Sequence, residues 1–185
     1  MIADPSDDPD KGPTYVSESF VIAAYLDDKY PSPKYPAVLP ANTRPLQKVF
    51  IDHYWPTVAG PFFPLLYPKV PAIWDERGRE YLYQSRGKDV FKLLSDSELD
   101  QMLEVARQKL ESFSDILDLS GSGTSSFIMG DTLTFADFTV GTVLFLVHRV
   151  DAGKVLQELM GWQNGRWARL WKAINELERN TTEVA

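Results

Sequence analysis

From Phe138 to Val147 the chain is apolar nearly all round a helical wheel, so this element is expected inside a bundle. The residues just before it are helix-start chemistry. Thr134 is the predicted N-cap, accepting from the backbone N–H of Asp137, and Asp137 can reach back to the N–H of Thr134. Leu133 and Phe138 hold the two hydrophobic-staple positions. A second capping box, Ser95-Asp96-Ser97-Glu98, has Leu94 and Leu99 as its staple. Behind it Leu99, Met102, Leu103, Ala106, Leu110, Phe113 and Leu117 recur at amphipathic helical spacing. Trp167, Leu170, Trp171, Ile174 and Leu177 form one face of a last helix, and Trp162, Trp167 and Trp171 are assigned to core packing.

Upstream, the pattern predicts an aromatic-rich helix from Leu46 to about Val58, kinked or broken by Pro56, Gly60, Pro61 and Pro64 before Leu65-Leu66-Tyr67. Arg79 to Phe91 reads as a short helix. The first thirty residues differ. Met1-Ile2-Ala3 and Thr14-Tyr15-Val16 flank a polar, Pro- and Gly-punctuated connection, which predicts a β-hairpin. A helix follows from Glu18 to Tyr30, with Val21 or Ile22, Tyr25 and Leu26 as its apolar stripe. Pro31, Pro33, Pro36 and Pro40 make residues 31–42 a linker, and Ser120 to Ser126 a Ser/Gly loop. The fold class is therefore mainly α: a hairpin and helix over 1–30, the linker, and an all-α domain over 43–185.

Composition narrows the function. The chain has 185 residues and 44% hydrophobic content, ordinary for a globular protein. A formal charge of −7, with no run of Lys or Arg, argues against nucleic-acid or anionic-membrane partners. There are no cysteines, which excludes disulfides, thiolate metal sites and cysteine nucleophiles within this chain. The residues from 138 to 147 are too few to span a bilayer, and the acidic N-terminus lacks a signal peptide's basic and apolar regions. A cytoplasmic protein is expected. No metal is expected either. Counting back from Gly12 puts Pro9 and Lys11 at calcium-ligand positions, and His53 and His148 have no partner at metal-ligand spacing.

The strongest candidate chemistry is Glu18-Ser19. These residues open a helix, where free backbone N–H groups attract a carboxylate and a serine hydroxyl can donate or accept. Glu18 adds a negative group for a ligand ammonium. Together they suit an α-amino-acid moiety, although Ser and Glu are also ordinary residues of a helical first turn. His53-Tyr54-Trp55 with Phe62, Phe63 and Tyr67 form an aromatic cluster that suits either a flat apolar ligand or plain core packing.

The stretch from Tyr15 to Asp27, followed by Tyr30-Pro31, resembles the end of the thioredoxin-like domain of glutathione transferases, and the Thr134–Asp137 box resembles the folding motif of their helical domain. Ile2-Ala3-Asp4-Pro5, Trp74-Asp75 and Glu80-Tyr81-Leu82 with Arg86 are most similar to the fungal etherase-type members, relatives of lignin β-etherases and of transferases of secondary metabolism. The resemblance implies that Glu18 meets the ammonium of glutathione's γ-glutamyl group, while Ser19 and its backbone N–H meet the carboxylate. It places His53, Tyr54, Trp55, Phe62 and Tyr67 beside the second-substrate pocket. Glutathione is the implied co-substrate, with no further cofactor, and an apolar aromatic compound the second substrate, to be conjugated or cleaved at an ether in detoxification or secondary metabolism. A homodimer is the implied assembly. In that family the catalytic Ser, Tyr or Cys precedes the part matched here, so the chain reads as N-terminally truncated and no residue in it matches the catalytic position. Two further readings follow: a non-catalytic binding or interaction module, and a regulatory partner of a full-length relative.

Overall fold

The computed structural model describes residues 1–6, 8, 10–119, 125–151 and 153–182, with side chains through residue 177. Most of the predicted Ser/Gly loop (120–124), together with Asp7 and Pro9 of the acidic turn, lies outside the described residues.

Strands β1 (Ile2–Asp4) and β2 (Thr14–Val16) pair antiparallel, Ile2 opposite Val16, as a two-stranded hairpin one residue later at its start than predicted. Helix α1 (Ser19–Lys29) follows. A single buried carboxylate ties the two together. Asp4 accepts from the Tyr25 hydroxyl at 2.6 Å and the Tyr30 hydroxyl at 2.8 Å, and pairs with the Lys29 ammonium. Lys29 first, then the two tyrosine hydroxyls, hold the Asp4 carboxyl down at about 2. The predicted stripe of α1 is corrected here. Of its members Ile22 and Tyr25 are half-buried, whereas Val21 and Leu26 are exposed, and the buried position is Ala23. The helix docks through Ala23, the half-buried Phe20, Ile22 and Tyr25, and the polar bonds to Asp4.

Residues 31–42 form no regular element, yet they are tied at both ends. The Asp27 carboxylate accepts from the backbone N–H groups of Val38 (3.2 Å) and Leu39 (2.7 Å), and Leu39 is buried. The Val38 carbonyl accepts from Phe135 N–H at 2.8 Å.

The bundle comprises α2 (Arg44–Tyr54), α3 (Phe63–Leu66), α4 (Glu76–Arg86), α5 (Asp96–Asp118), α6 (Phe135–Val150) and α7 (Lys154–Thr182). The prolines do not break the path from α2 to α3. A π-helical turn (Trp55–Ala59) and a 3-10 turn (Gly60–Phe62) carry it instead, each with a proline in its first two positions, where a missing N–H is least costly. Helix α4 starts earlier than predicted, because the Asp75 carboxylate caps it by accepting from Gly78 N–H at 2.7 Å. It also stops earlier, at Gly87 (φ 78°), and Lys88–Phe91 is a separate 3-10 turn. The Ser95–Glu98 capping box is present. Helix α7 begins well before the predicted Trp167 face and bends over Trp162–Gly165, where Gln163, Asn164 and Gly165 have positive φ. The core lies between α2, α5, α6 and α7 around Tyr54, Phe62, Leu66, Leu110, Val140 and Trp167. Among the described residues no helix is long and apolar enough to cross a membrane.

Candidate functional site

Helix α6 is positioned through its N-terminus, and the bonds there also fix the neighbouring cavity. The first turn of any helix leaves backbone donors without partners. Here Phe135 N–H goes to the Val38 carbonyl (2.8 Å), Ala136 N–H to Gln47 Oε1 (3.1 Å), and Asp137 N–H to the Thr134 carbonyl (3.0 Å). The capping-box pair is in place, but its hydrogen bonds come from the carboxylate half, since Thr134 Oγ1 donates to Asp137 and the Asp137 N–H turns to the Thr134 carbonyl. Asp137 accepts from Thr134 N–H (2.7 Å), Thr134 Oγ1 (2.9 Å) and, beyond the box, Ile128 N–H (2.6 Å). Thr134 and Asp137 are both fully buried. Burial pushes the Asp137 carboxyl up, against the pull of those donors. Gln47 also donates through Nε2 to Thr43 Oγ1 at 3.0 Å, which itself donates to the Pro40 carbonyl at 2.7 Å. Linker, α2, the 127–134 segment and α6 are thus joined at one buried point.

Helix α1 starts differently. Glu18 sits at its N-cap with φ 70° and ψ 123°, a backbone conformation that side-chain-bearing residues avoid, and makes no side-chain cap. Glu18 and Ser19 are exposed. The next residue, Phe20, packs edge-on against Phe135 with ring centroids 5.7 Å apart. That contact joins the α1 corner to the start of α6, and through Asp137 to Ile128.

Ile128 lines a cavity of about 530 Å³ between α2 and α5. Its aromatic wall is built by Phe50, Tyr54 and Phe113, whose ring centroids lie 5.6–5.8 Å from one another. Phe113 in turn stacks on the buried Trp167 at 6.0 Å. Burial pushes the Tyr54 hydroxyl well above its ordinary range, so it stays protonated at neutral pH.

The predicted aromatic cluster is divided by the structure. His53 and Tyr54 line the α2–α5 cavity. Phe62 is core, 1% exposed, and lines neither this cavity nor the next. Trp55 stacks on Phe63 (6.1 Å) and Phe63 on Tyr67 (5.3 Å), and Tyr67 borders a separate hollow of about 560 Å³ toward Leu93 and Leu94. The alternation of helix type from Trp55 to Phe62 turns these side chains away from α2's inner face. Phe113, read from the sequence as part of the α5 stripe, also lines the cavity. Neither Phe50 nor Gln47 carries a sequence signal for its role, since Phe50 meets Phe113 and Gln47 meets Ala136 through the packing of α2 on α5 and α6. Of the histidines, His53 is exposed and His148 stacks on Trp171 at 5.0 Å.

A family model described as "Glutathione S-transferase, C-terminal domain" matches residues 45–177. The glutathione S-transferase-like protein ustS of Aspergillus flavus is 29% identical over 164 residues, which is 84% of this chain and 58% of that protein. The chain therefore spans little more than half the length of that relative. Among solved structures, the glutathione S-transferase CsGST83044 of Ceriporiopsis subvermispora, in complex with glutathione, superposes with a TM-score of 0.78 at 28% identity, over 91% of this chain and 69% of that one. Glutathione transferase GSTFuA2 of Phanerochaete chrysosporium gives 0.76 at 27% identity, over 91% and 68%. With residues 45–177, most of its helical bundle, matched by the family model, this chain belongs to the glutathione S-transferase C-terminal domain family.

Proposed function

We propose that this chain binds the γ-glutamyl end of glutathione at the Glu18–Ser19 corner and holds an apolar aromatic second substrate in the α2–α5 cavity, for conjugation or ether cleavage. The observation that carries this reading is Glu18. A non-glycine residue held at φ 70° and exposed at a helix start is strained with no structural return, which fits a side chain aimed at a ligand. The adjacent Ser19 and the first-turn N–H groups suit a carboxylate. The complex of CsGST83044 with glutathione supports the choice of ligand. A cavity of about 530 Å³ with a three-ring wall suits a flat compound of drug-like size. A homodimer and the etherase-type chemistry belong to the same proposal. Calorimetry with glutathione tests it. Ser19→Ala and Glu18→Gln should each weaken binding, and a γ-glutamyl dipeptide should compete with glutathione. Equal heats for wild type and Ser19→Ala would remove the corner from the site. A thiol-conjugation assay on this chain separates binding with turnover from binding without it.

A further inference from the structure

Resting on the cavity reading above, we infer that the second substrate is an aromatic acid whose anionic group is met by Lys109. Lys109 lines the mouth of the α2–α5 cavity. No lining residue is acidic, in a chain whose formal charge is −7. Of the carboxylates flanking the cavity in sequence, Asp52 is held by Lys48 at 2.6 Å and Glu111 by Arg107 at 3.2 Å, while Asp115, six positions beyond Lys109, lies off its helical face. On its own helix, Lys109 has Val105, Ala106, Ser112 and Phe113 at the positions three and four residues away, so no i,i+4 partner is available.

The other lysines show how unusual this is. Lys11, Lys29, Lys48, Lys69, Lys92 and Lys154 each hold a carboxylate, and Lys34 and Lys88 each sit over a tyrosine ring. Among the described residues Lys109 and Lys172 have neither, and of the two only Lys109 lines a cavity. An uncompensated ammonium at the rim of an apolar, three-ring cavity complements a ligand with a flat hydrophobic body and one negative group. The His53 imidazole, on the same lining, adds a second polar contact at the wall. A neutral aromatic would use the rings and leave Lys109 idle.

Fluorescence titration of the whole chain with anilinonaphthalene sulfonate and with its uncharged parent, phenylnaphthylamine, tests the inference. Wild type should bind the sulfonate more tightly. Lys109→Met should weaken the sulfonate about fivefold and leave the neutral probe unchanged, as expected for one partly exposed charge contact. Lys172→Met should change neither, and Ser112→Trp, which fills the cavity from an exposed position, should weaken both. If the neutral probe binds as well as the sulfonate, or Lys109→Met weakens both alike, the acidic-substrate inference fails while the aromatic cavity stands. If Ser112→Trp leaves both probes bound, the cavity reading itself fails, and the inference with it.

Discussion

Two helices in this chain begin in opposite ways. At α6 the first-turn donors Phe135, Ala136 and Asp137 find acceptors on the linker, α2 and the cap itself, and both cap residues are fully buried. At α1 the cap residue is exposed, makes no side-chain cap and holds a positive φ. The first start is committed to structure, with each donor engaged inside the protein. The second has no side-chain cap and stores strain in one exposed residue. A helix N-terminus is the same electrostatic object in both places. What it contacts decides whether it assembles the fold or stands ready for an anion.

The comparison breaks most severely at Asp137. Its carboxylate satisfies the N–H groups of Ile128 and Thr134 and the Thr134 hydroxyl. Asp137→Ala leaves buried donors unpaired, so the expected cost is about 3 kcal/mol, more than a surface cap's contribution of about 1 kcal/mol. Urea denaturation should show it as a lowered midpoint. A loss no larger than that of Thr134→Ala would mean the Ile128 bond contributes nothing.

Next comes Gln47, which reaches Ala136 across 89 positions of sequence. Gln47→Leu preserves bulk but orphans the Ala136 N–H and leaves Thr43 Oγ1 without its donor, for an expected loss of roughly 2 kcal/mol. An unchanged midpoint would show that another acceptor, or water, takes over at the start of α6.

These two residues also mark how far sequence reading reaches. The Thr134–Asp137 and Ser95–Glu98 boxes and the Leu103–Phe113 stripe were legible because their partners lie three or four positions apart, inside one element. The Glu18–Ser19 corner was legible for the same reason, a strand running straight into a helix start. Gln47 to Ala136, Val38 to Phe135 and the seating of Phe113 on the Phe50–Tyr54 pair were not, since each depends on how separate elements pack. Local propensity predicts a kink or break in the proline-rich stretch after Tyr54, and the α-helix does end there, but the π and 3-10 turns that carry the chain on to α3 have no local signal. Exposed Val21 and Leu26 show a pattern of helical period with no partner to bury it.

Acid separates the two regions without mutation. Asp4 has a folded pKa lowered to about 2, so its contribution is present above the ordinary value of 3.8 and lost as pH falls through about 2. Asp137 has the opposite sign. Its folded pKa is raised, so its titration favours the fold most below the ordinary carboxylate range, and that contribution fades as pH rises through the folded value. Between pH 4 and 2, hydrogen exchange at the described residues of 1–16 should quicken while 135–147 stays protected. Simultaneous loss of protection would show that the Asp4 pin and the α6 cap belong to one cooperative unit.

The smallest expected change in stability is the most telling. Glycine adopts positive φ without a Cβ clash, so Glu18→Gly should relieve the strain at the α1 corner and stabilise the chain by up to about 1 kcal/mol. The same change removes the carboxylate proposed to meet the γ-glutamyl ammonium, so glutathione binding should fall. Opposite movements of stability and affinity at one residue are what a strained binding group produces, because the fold bears a cost that only the ligand redeems. Thermal unfolding and calorimetry on the same preparation measure both. Should Glu18→Gly lower the melting temperature, the positive φ is being stabilised by contacts of the Glu18 side chain itself. The α1 start would then be a structural cap like that of α6, and the contrast between the two helices would not hold.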